Sequence, residues 1–276
     1  MKIGLYFKKD SSPAQALTKR IINFLKRNNT EVFIEKNLKS LFPDIPEFDI
    51  SKDNIDVIIV VGGDGTVIRV LHELRERIIP LMTVRMGKRG VLLDVSPIEI
   101  EERLKDLLEG RYVLKEYERI FAEINTVPYP PAINEILLVA SSEYYRSKVI
   151  RFSVYKDNYP IYYLEGDGVI VATPIGSSAY SLAAGGPLLD RSVKAMVITP
   201  LAPIYTWARS VVVPIDSTIS IHLKEGSLSG EIVIDGYERA PIKPGETIIV
   251  RRYPQPAKII RFHEDERLYE EIFGRK

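Results

Sequence analysis

The segment from Ile55 to Val61 is apolar apart from Asp56, and Gly62-Gly63-Asp64-Gly65-Thr66 follows it at once. Such a run reads as a strand buried on both faces, as parallel strands usually are. Val67, Val70, Leu71 and Leu74 then recur at helical spacing, so the glycine turn joins the C-terminal end of a strand to the start of a helix. That order requires an open α/β layer, in which ligands bind at this end of the strands.

The surrounding chain fits such a layer. Lys2 to Phe7 reads as a strand, and Ala14, Leu17, Ile21, Phe24 and Leu25 share one face of a helix opened by Ser12 as cap and Pro13 in its first turn. Pro80 to Val84 gives a further strand, and Ser96-Pro97-Ile98-Glu99 opens another helix with cap, proline and Glu in order. The α/β domain is expected to span residues 1–110. From Arg111 the texture becomes alternating and rich in Tyr and Val. Its strand segments are Tyr112 to Ile124, Ile133 to Ala140, Val149 to Tyr155, Ile161 to Tyr163, Val169 to Ala172, Val211 to Val213, Ile219 to Leu223 and Glu231 to Ile234. Turn residues between them predict an antiparallel sheet or sandwich over 111–257. The charged tail, 258–276, is read as a terminal helix whose apolar side docks back on the first domain.

Composition removes several function classes. Lys plus Arg number 38 against 37 for Asp plus Glu, so no global charge steers the molecule to nucleic acid or an anionic membrane. There is no Cys, which excludes disulfides, thiol catalysis and cysteine-based zinc sites. His72, His222 and His263 are scattered without metal-ligand spacing. No run approaches the ~18 apolar residues of a membrane span, and the N-terminus lacks a signal-peptide core, so a cytoplasmic location is expected. Few Gln and many Lys, Arg and Glu lean toward a heat-adapted, thermophile protein.

The glycine turn poses a chemical question. Glycines let backbone N–H groups approach a phosphate, and the helix start favours its charge, yet Asp64 repels it. The turn is neither a dinucleotide fingerprint nor a P-loop, since G-x-G-x-x-G and a following Gly-Lys-Ser/Thr are both absent. Asp64 either caps the helix or has a task beside the phosphates. Two tasks fit: accepting a proton from an attacking hydroxyl, or helping to hold a Mg²⁺ that bridges the phosphates.

Three further segments carry polar groups. Asp167 through Pro187 leaves a strand, turns at Pro174 and Gly176, and enters a small-residue helix in which Ser177, Ser178 and Tyr180 can meet a flat ligand. Asn134-Glu135 opens an apolar strand after a proline-rich loop, and such a pair can take a ribose diol, although strand-start polarity at the surface is the simpler account. Asp235-Gly236 reads as ordinary turn chemistry.

Together these segments resemble the NAD kinase family, in its order and approximate spacing over nearly the whole chain. The glycine turn alone is shared with lipid and sugar kinases, and a non-catalytic NAD(P)-binding sensor is the other alternative. The resemblance implies a Rossmann-like α/β N-terminal domain, a β-rich, sandwich-like C-terminal domain, and NAD bound between them in a homodimer or homotetramer. It implies ATP or polyphosphate as donor, NAD as acceptor, NADP as product, and a divalent cation such as Mg²⁺ held mainly by the donor phosphates. Asp64 then matches the proton acceptor for the adenosine ribose 2′-hydroxyl, and Gly62, Gly63, Gly65 and Thr66 face the donor phosphates. Asp64, Gly65, Arg69, Asn134, Glu135, Lys148, Asp167, Ser178, Ala179, Tyr180 and Ser181 are the implied NAD contacts. The chain departs from the family pattern at Ile175, where Thr is common, at Ser178 within Gly176-Ser177-Ser178-Ala179-Tyr180, at Met86 to Leu92, at Tyr237 in place of Gln, and at Glu165.

Overall fold

A computed structural model describes residues 1–87, 90–141 and 148–263. They form two compact units, Met1–Glu116 with the chain from Ala257 onward, and Tyr117–Pro256. The division falls beyond Gly110 because the next strand joins the first unit's sheet.

The first unit runs β1 (Lys2–Phe7), α1 (Ser12–Arg27), β2 (Glu31–Glu35), β3 (Glu47–Phe48), β4 (Val57–Gly62), α2 (Asp64–Leu74), β5 (Leu81–Arg85), α3 (Ile100–Leu108) and β6 (Val113–Tyr117). Ser11, one residue before the expected cap, closes the start of α1 by accepting from the Ala14 N–H at 3.4 Å. The Ser96–Glu99 turn is closed reciprocally, with the Ser96 N–H on Glu99 Oε1 at 2.7 Å and the Glu99 N–H on the Ser96 carbonyl. It stands just ahead of α3 rather than inside it.

The sheet order is β3-β2-β1-β4-β5, then the returning strand Ala257–Arg261, then β6. Every pair from β3 to the returning strand is parallel. Strand order reverses between β1 and β4, which leaves a crevice at their C-terminal ends. The expected terminal helix is corrected over its first residues: Ala257–Arg261 is a strand, with Ile259 and Ile260 fully buried opposite Leu81 and Met82. Residues 264–276 of that expected helix lie outside the described residues.

The second unit is a sandwich of two antiparallel sheets. It contains β7 (Ile120–Ile124), β8 (Val127–Pro128), β9 (Glu135–Ala140), β10 (Ile150–Lys156), β11 (Tyr159–Gly166), β12 (Gly168–Ala172), β13 (Ala195–Leu201), β14 (Val211–Pro214), β15 (Ile219–Leu223), β16 (Gly230–Ile234), β17 (Glu238–Ile242) and β18 (Thr247–Arg252). One sheet is ordered β11-β10-β15-β18-β7-β8, the other β14-β13-β12-β9-β16-β17. Strand alternation explains the core: Ile136, Leu138, Val169, Val171, Ile232 and Ile234 face the first sheet. Their neighbours Leu137, Ile170, Ala172 and Val233 make a second apolar layer on the opposite face.

The segment expected as one strand from Tyr112 to Ile124 is two, β6 and β7, placed in different sheets. The small-residue helix is also shorter than expected, a 3₁₀ turn at Gly176–Ser178 followed by α4 (Tyr180–Ala183). Ala179 interrupts it at φ −98° and ψ −126°, outside the helical region, and Gly185 ends it at φ +84°. Among the described residues no helix is long and apolar enough to cross a membrane.

Candidate active site

Asp64 is the first residue of α2, and Gly63 is its N-cap, in extended conformation and with no side-chain cap. The capping role weighed for Asp64 is thereby set aside. Its carboxylate reaches away from the helix, accepting from the Val91 N–H at 2.8 Å (Oδ2) and the Leu92 N–H at 3.0 Å (Oδ1).

The glycines around it differ in purpose. A Cβ on Gly62 would lie 2.3 Å from Thr66 Oγ1, so Gly62 lets Thr66 fold down over the strand end. Among the described residues nothing comes within 4 Å of such an atom at Gly63 or Gly65, which leaves an anion room to approach the backbone of the turn. The turn sits at the crevice end of β4, beside β1. Of the Met86 to Leu92 segment, Lys88 and Arg89 lie outside the described residues.

Arg69 is exposed on α2, and its charge bears on a buried cluster that the sequence did not announce. The Tyr6 hydroxyl donates to Glu73 Oε1 at 2.9 Å. Burial pushes the Glu73, Glu35 and Tyr6 groups above their ordinary ranges.

In the second unit, Asn134 and Glu135 are held by a clasp from the β16–β17 turn. Asp235 Oδ1 accepts from the Asn134 N–H at 2.8 Å and the Glu135 N–H at 2.9 Å, while Oδ2 accepts from Ile133 at 2.8 Å. Thr173 holds the other side, its N–H on the Asn134 carbonyl at 2.8 Å and its hydroxyl on that of Ile133 at 2.5 Å. Gly176 is required there, since a Cβ would lie 2.0 Å from the Asn134 carbonyl oxygen. Asp235 itself has φ +49°, a left-handed conformation that Asp tolerates better than most residues.

Glu135 does not lie at the surface as the simpler account of this strand start would have it: it is 9% exposed. Burial, helped by the Asp235 charge, pushes its carboxyl up to about 8. In the unfolded chain it ionises near its ordinary 4.5, so between that value and about 8 the folded state holds one proton more. Stability is therefore expected to fall as pH rises through this window, at up to about 1.4 kcal/mol per pH unit, and to level off above it. Glu135→Gln should flatten that slope in unfolding midpoints measured from pH 5 to 9; an unchanged slope would assign it elsewhere.

Lys148, Asp167 and Tyr180 come together around a cavity of about 590 Å³, floored by Leu137, Val139 and Val233. Arg239 and Glu231, paired at 3.2 Å, also line it. Tyr237, the departure from Gln, is 47% exposed. The hydroxyls expected on the small helix are mostly engaged inwardly. Ser178 Oγ donates to the Ile175 carbonyl at 2.8 Å, and Ser181, fully buried, shares a hydrogen bond with Thr199 at 2.9 Å. Ala179 is half-buried beside them. Arg119, 1% exposed, donates to the Gln255 carbonyl, lies 4.9 Å above the Tyr253 ring and feels the Asp235 charge. Among the described residues no three His, Asp or Glu side chains group to hold a metal.

Comparison with known proteins bears on both units. Residues 3–112 match the ATP-NAD kinase N-terminal domain and residues 133–262 the ATP-NAD kinase C-terminal domain. An NAD kinase of Thermococcus sibiricus is 36% identical over 96% of this chain and 95% of its own, and one of Aeropyrum pernix is 34% identical over 99% and 97%. The crystal structure of an Archaeoglobus fulgidus NAD kinase in complex with ATP superposes with a TM-score of 0.79 at 27% identity, covering 99% of this chain and 97% of that one. The yeast NADH kinase complexed with NADH shares the fold at a TM-score of 0.88 and 18% identity, over 99% and 86% of the two chains. The chain belongs to the ATP-NAD kinase family, phosphotransferases that act on an alcohol group.

Proposed function

We propose that this protein transfers the terminal phosphoryl group of ATP to the 2′-hydroxyl of the adenosine ribose of NAD, with Asp64 as proton acceptor. The observation that carries the reading is the Asp64 carboxylate, held by two backbone N–H groups beside an open glycine turn at a strand's C-terminal end. In the transfer, Asp64 takes the hydroxyl proton as the new O–P bond forms, the bond from the γ-phosphorus to the bridging oxygen breaks, and ADP leaves.

The amides of Gly62, Gly63 and Gly65 and the hydroxyl of Thr66 take the donor phosphates. Asn134 and Glu135 take a ribose, Lys148, Asp167 and Tyr180 bind NAD from the cavity they line, and Arg69 and Ser178 through Ser181 add further contacts. Because Ser181 spends its hydroxyl on Thr199, any contact there uses backbone. A divalent cation, Mg²⁺ in this reading, neutralises charge on the phosphate oxygens when bound. The donor phosphates would supply most of its ligands. The reading takes a cytoplasmic homodimer or homotetramer, and light scattering measures which.

The test incubates the protein with NAD, Mg²⁺ and either ATP or polyphosphate, and reads NADP with an NADP-specific dehydrogenase. NADP formed with ATP and abolished by chelation is the expected result. NADP formed with polyphosphate alone would replace the donor, and NAD binding without NADP would make the protein a dinucleotide sensor.

A further inference from the structure

We propose that Arg261 positions Asp64 through the backbone of Val91 to Leu93, a role that rests on reading Asp64 as the proton acceptor. Arg261 ends the returning strand and is 3% exposed. Its Nη2 donates to the Val91 carbonyl at 3.3 Å and its Nη1 to that of Leu93 at 3.1 Å. Asp94 balances the buried charge, with Oδ1 at 3.7 Å from Nη1 and Oδ2 accepting from the Phe262 N–H at 2.7 Å.

The Val91 carbonyl and the Leu92 N–H are opposite ends of one planar peptide. Holding that carbonyl on the guanidinium therefore holds the N–H on Asp64 Oδ1. The next carbonyl, that of Leu92, is taken by the Thr83 hydroxyl at 2.9 Å, and the Val95 N–H bonds the Thr83 carbonyl at 3.0 Å. The segment is thus tied to the sheet by its carbonyls while two of its amides face the carboxylate.

Without the guanidinium, the Val91 carbonyl loses a buried donor. A flip of the 91–92 peptide would then turn an oxygen toward Asp64 and replace attraction by repulsion. Lys cannot substitute fully, because two carbonyls are reached by a planar fork and not by a point donor. Gly90 fits the same arrangement: a Cβ there would lie 2.9 Å from Asp64 Oδ1 and 2.4 Å from Leu93 Cδ1.

The experiment is a double-mutant cycle of Arg261→Lys with Asp64→Asn, following kcat and both KM values. Arg261→Lys should lower kcat roughly 10- to 100-fold with both KM values within about threefold, as misplacement of a reacting group does. On the Asp64→Asn background the same replacement should change the residual rate less than about threefold, since coupled residues are not additive. Equal factors on both backgrounds would overturn the relay and leave Arg261 a packing residue. Wild-type kcat in Asp64→Asn alone would instead remove the proton-acceptor reading. Should Arg261→Lys lose cooperative unfolding, Gly90→Ala takes its place in the cycle: its backbone has no positive φ, and its added methyl presses on Asp64 and Leu93. Non-additivity there sustains the contact between this segment and Asp64, and additivity overturns it.

Discussion

Asp64→Asn is expected to lower kcat for NADP formation by about 10²- to 10⁴-fold, with KM for ATP and NAD held within about threefold. The replacement keeps shape and removes the proton acceptor. It also changes one of the two oxygens that face Val91 and Leu92 into an NH₂ group, so one backbone N–H meets a donor. That mismatch should destabilise the protein by about 1–3 kcal/mol, measurable in denaturant and well short of unfolding it. Activity should not vanish, because the glycine turn still positions the phosphates and proximity alone supplies a large share of the acceleration. A kcat within a few-fold of wild type, with the protein folded, would mean that another group or solvent takes the proton.

The turn that carries this prediction was legible in the sequence, because its signals are local. An apolar run, three glycines and a helical stripe fall within Val57–Leu74, and each constrains its neighbours. The strands of the second unit were partly legible for the same reason: Ile219–Leu223 alternates buried and half-buried residues cleanly. Ala195–Leu201 went unread because all seven residues are buried and Pro200 interrupts the pattern. That proline is tolerated where it falls, since the pairing with β14 stops at Ile198. Ala257–Arg261 was misread because five residues beside a charged tail carry little periodicity, and its place depends on β5, more than 170 residues earlier. The groups that hold the site share this difficulty. Arg261 meets Val91 across 170 positions and Asp235 meets Ile133 across 102, and no local spacing encodes such pairs.

Asp235 gives the second large effect. Asp235→Ala removes the acceptor of three backbone N–H groups at once, those of Ile133, Asn134 and Glu135. Unpaired buried donors cost about 1–3 kcal/mol each, and water entering the space left by the carboxylate recovers part, so a loss of about 3–5 kcal/mol is expected. Arg119 adds to the loss, because a buried cation loses the attraction of the Asp235 charge. If Asn134 and Glu135 take a ribose of NAD, loosening their turn should raise KM for NAD roughly 10- to 100-fold and that for ATP far less. Asp235→Asn separates the causes, since it keeps one acceptor oxygen and removes the charge. With that charge gone the Glu135 carboxyl should ionise at lower pH, and the window over which stability falls should contract from its upper end near pH 8. An Asp235→Ala variant with a wild-type unfolding midpoint and unchanged KM for NAD would show that the 133–135 turn holds itself. Thr173 and Gly176, which grip its other side, would then be the residues that set its shape.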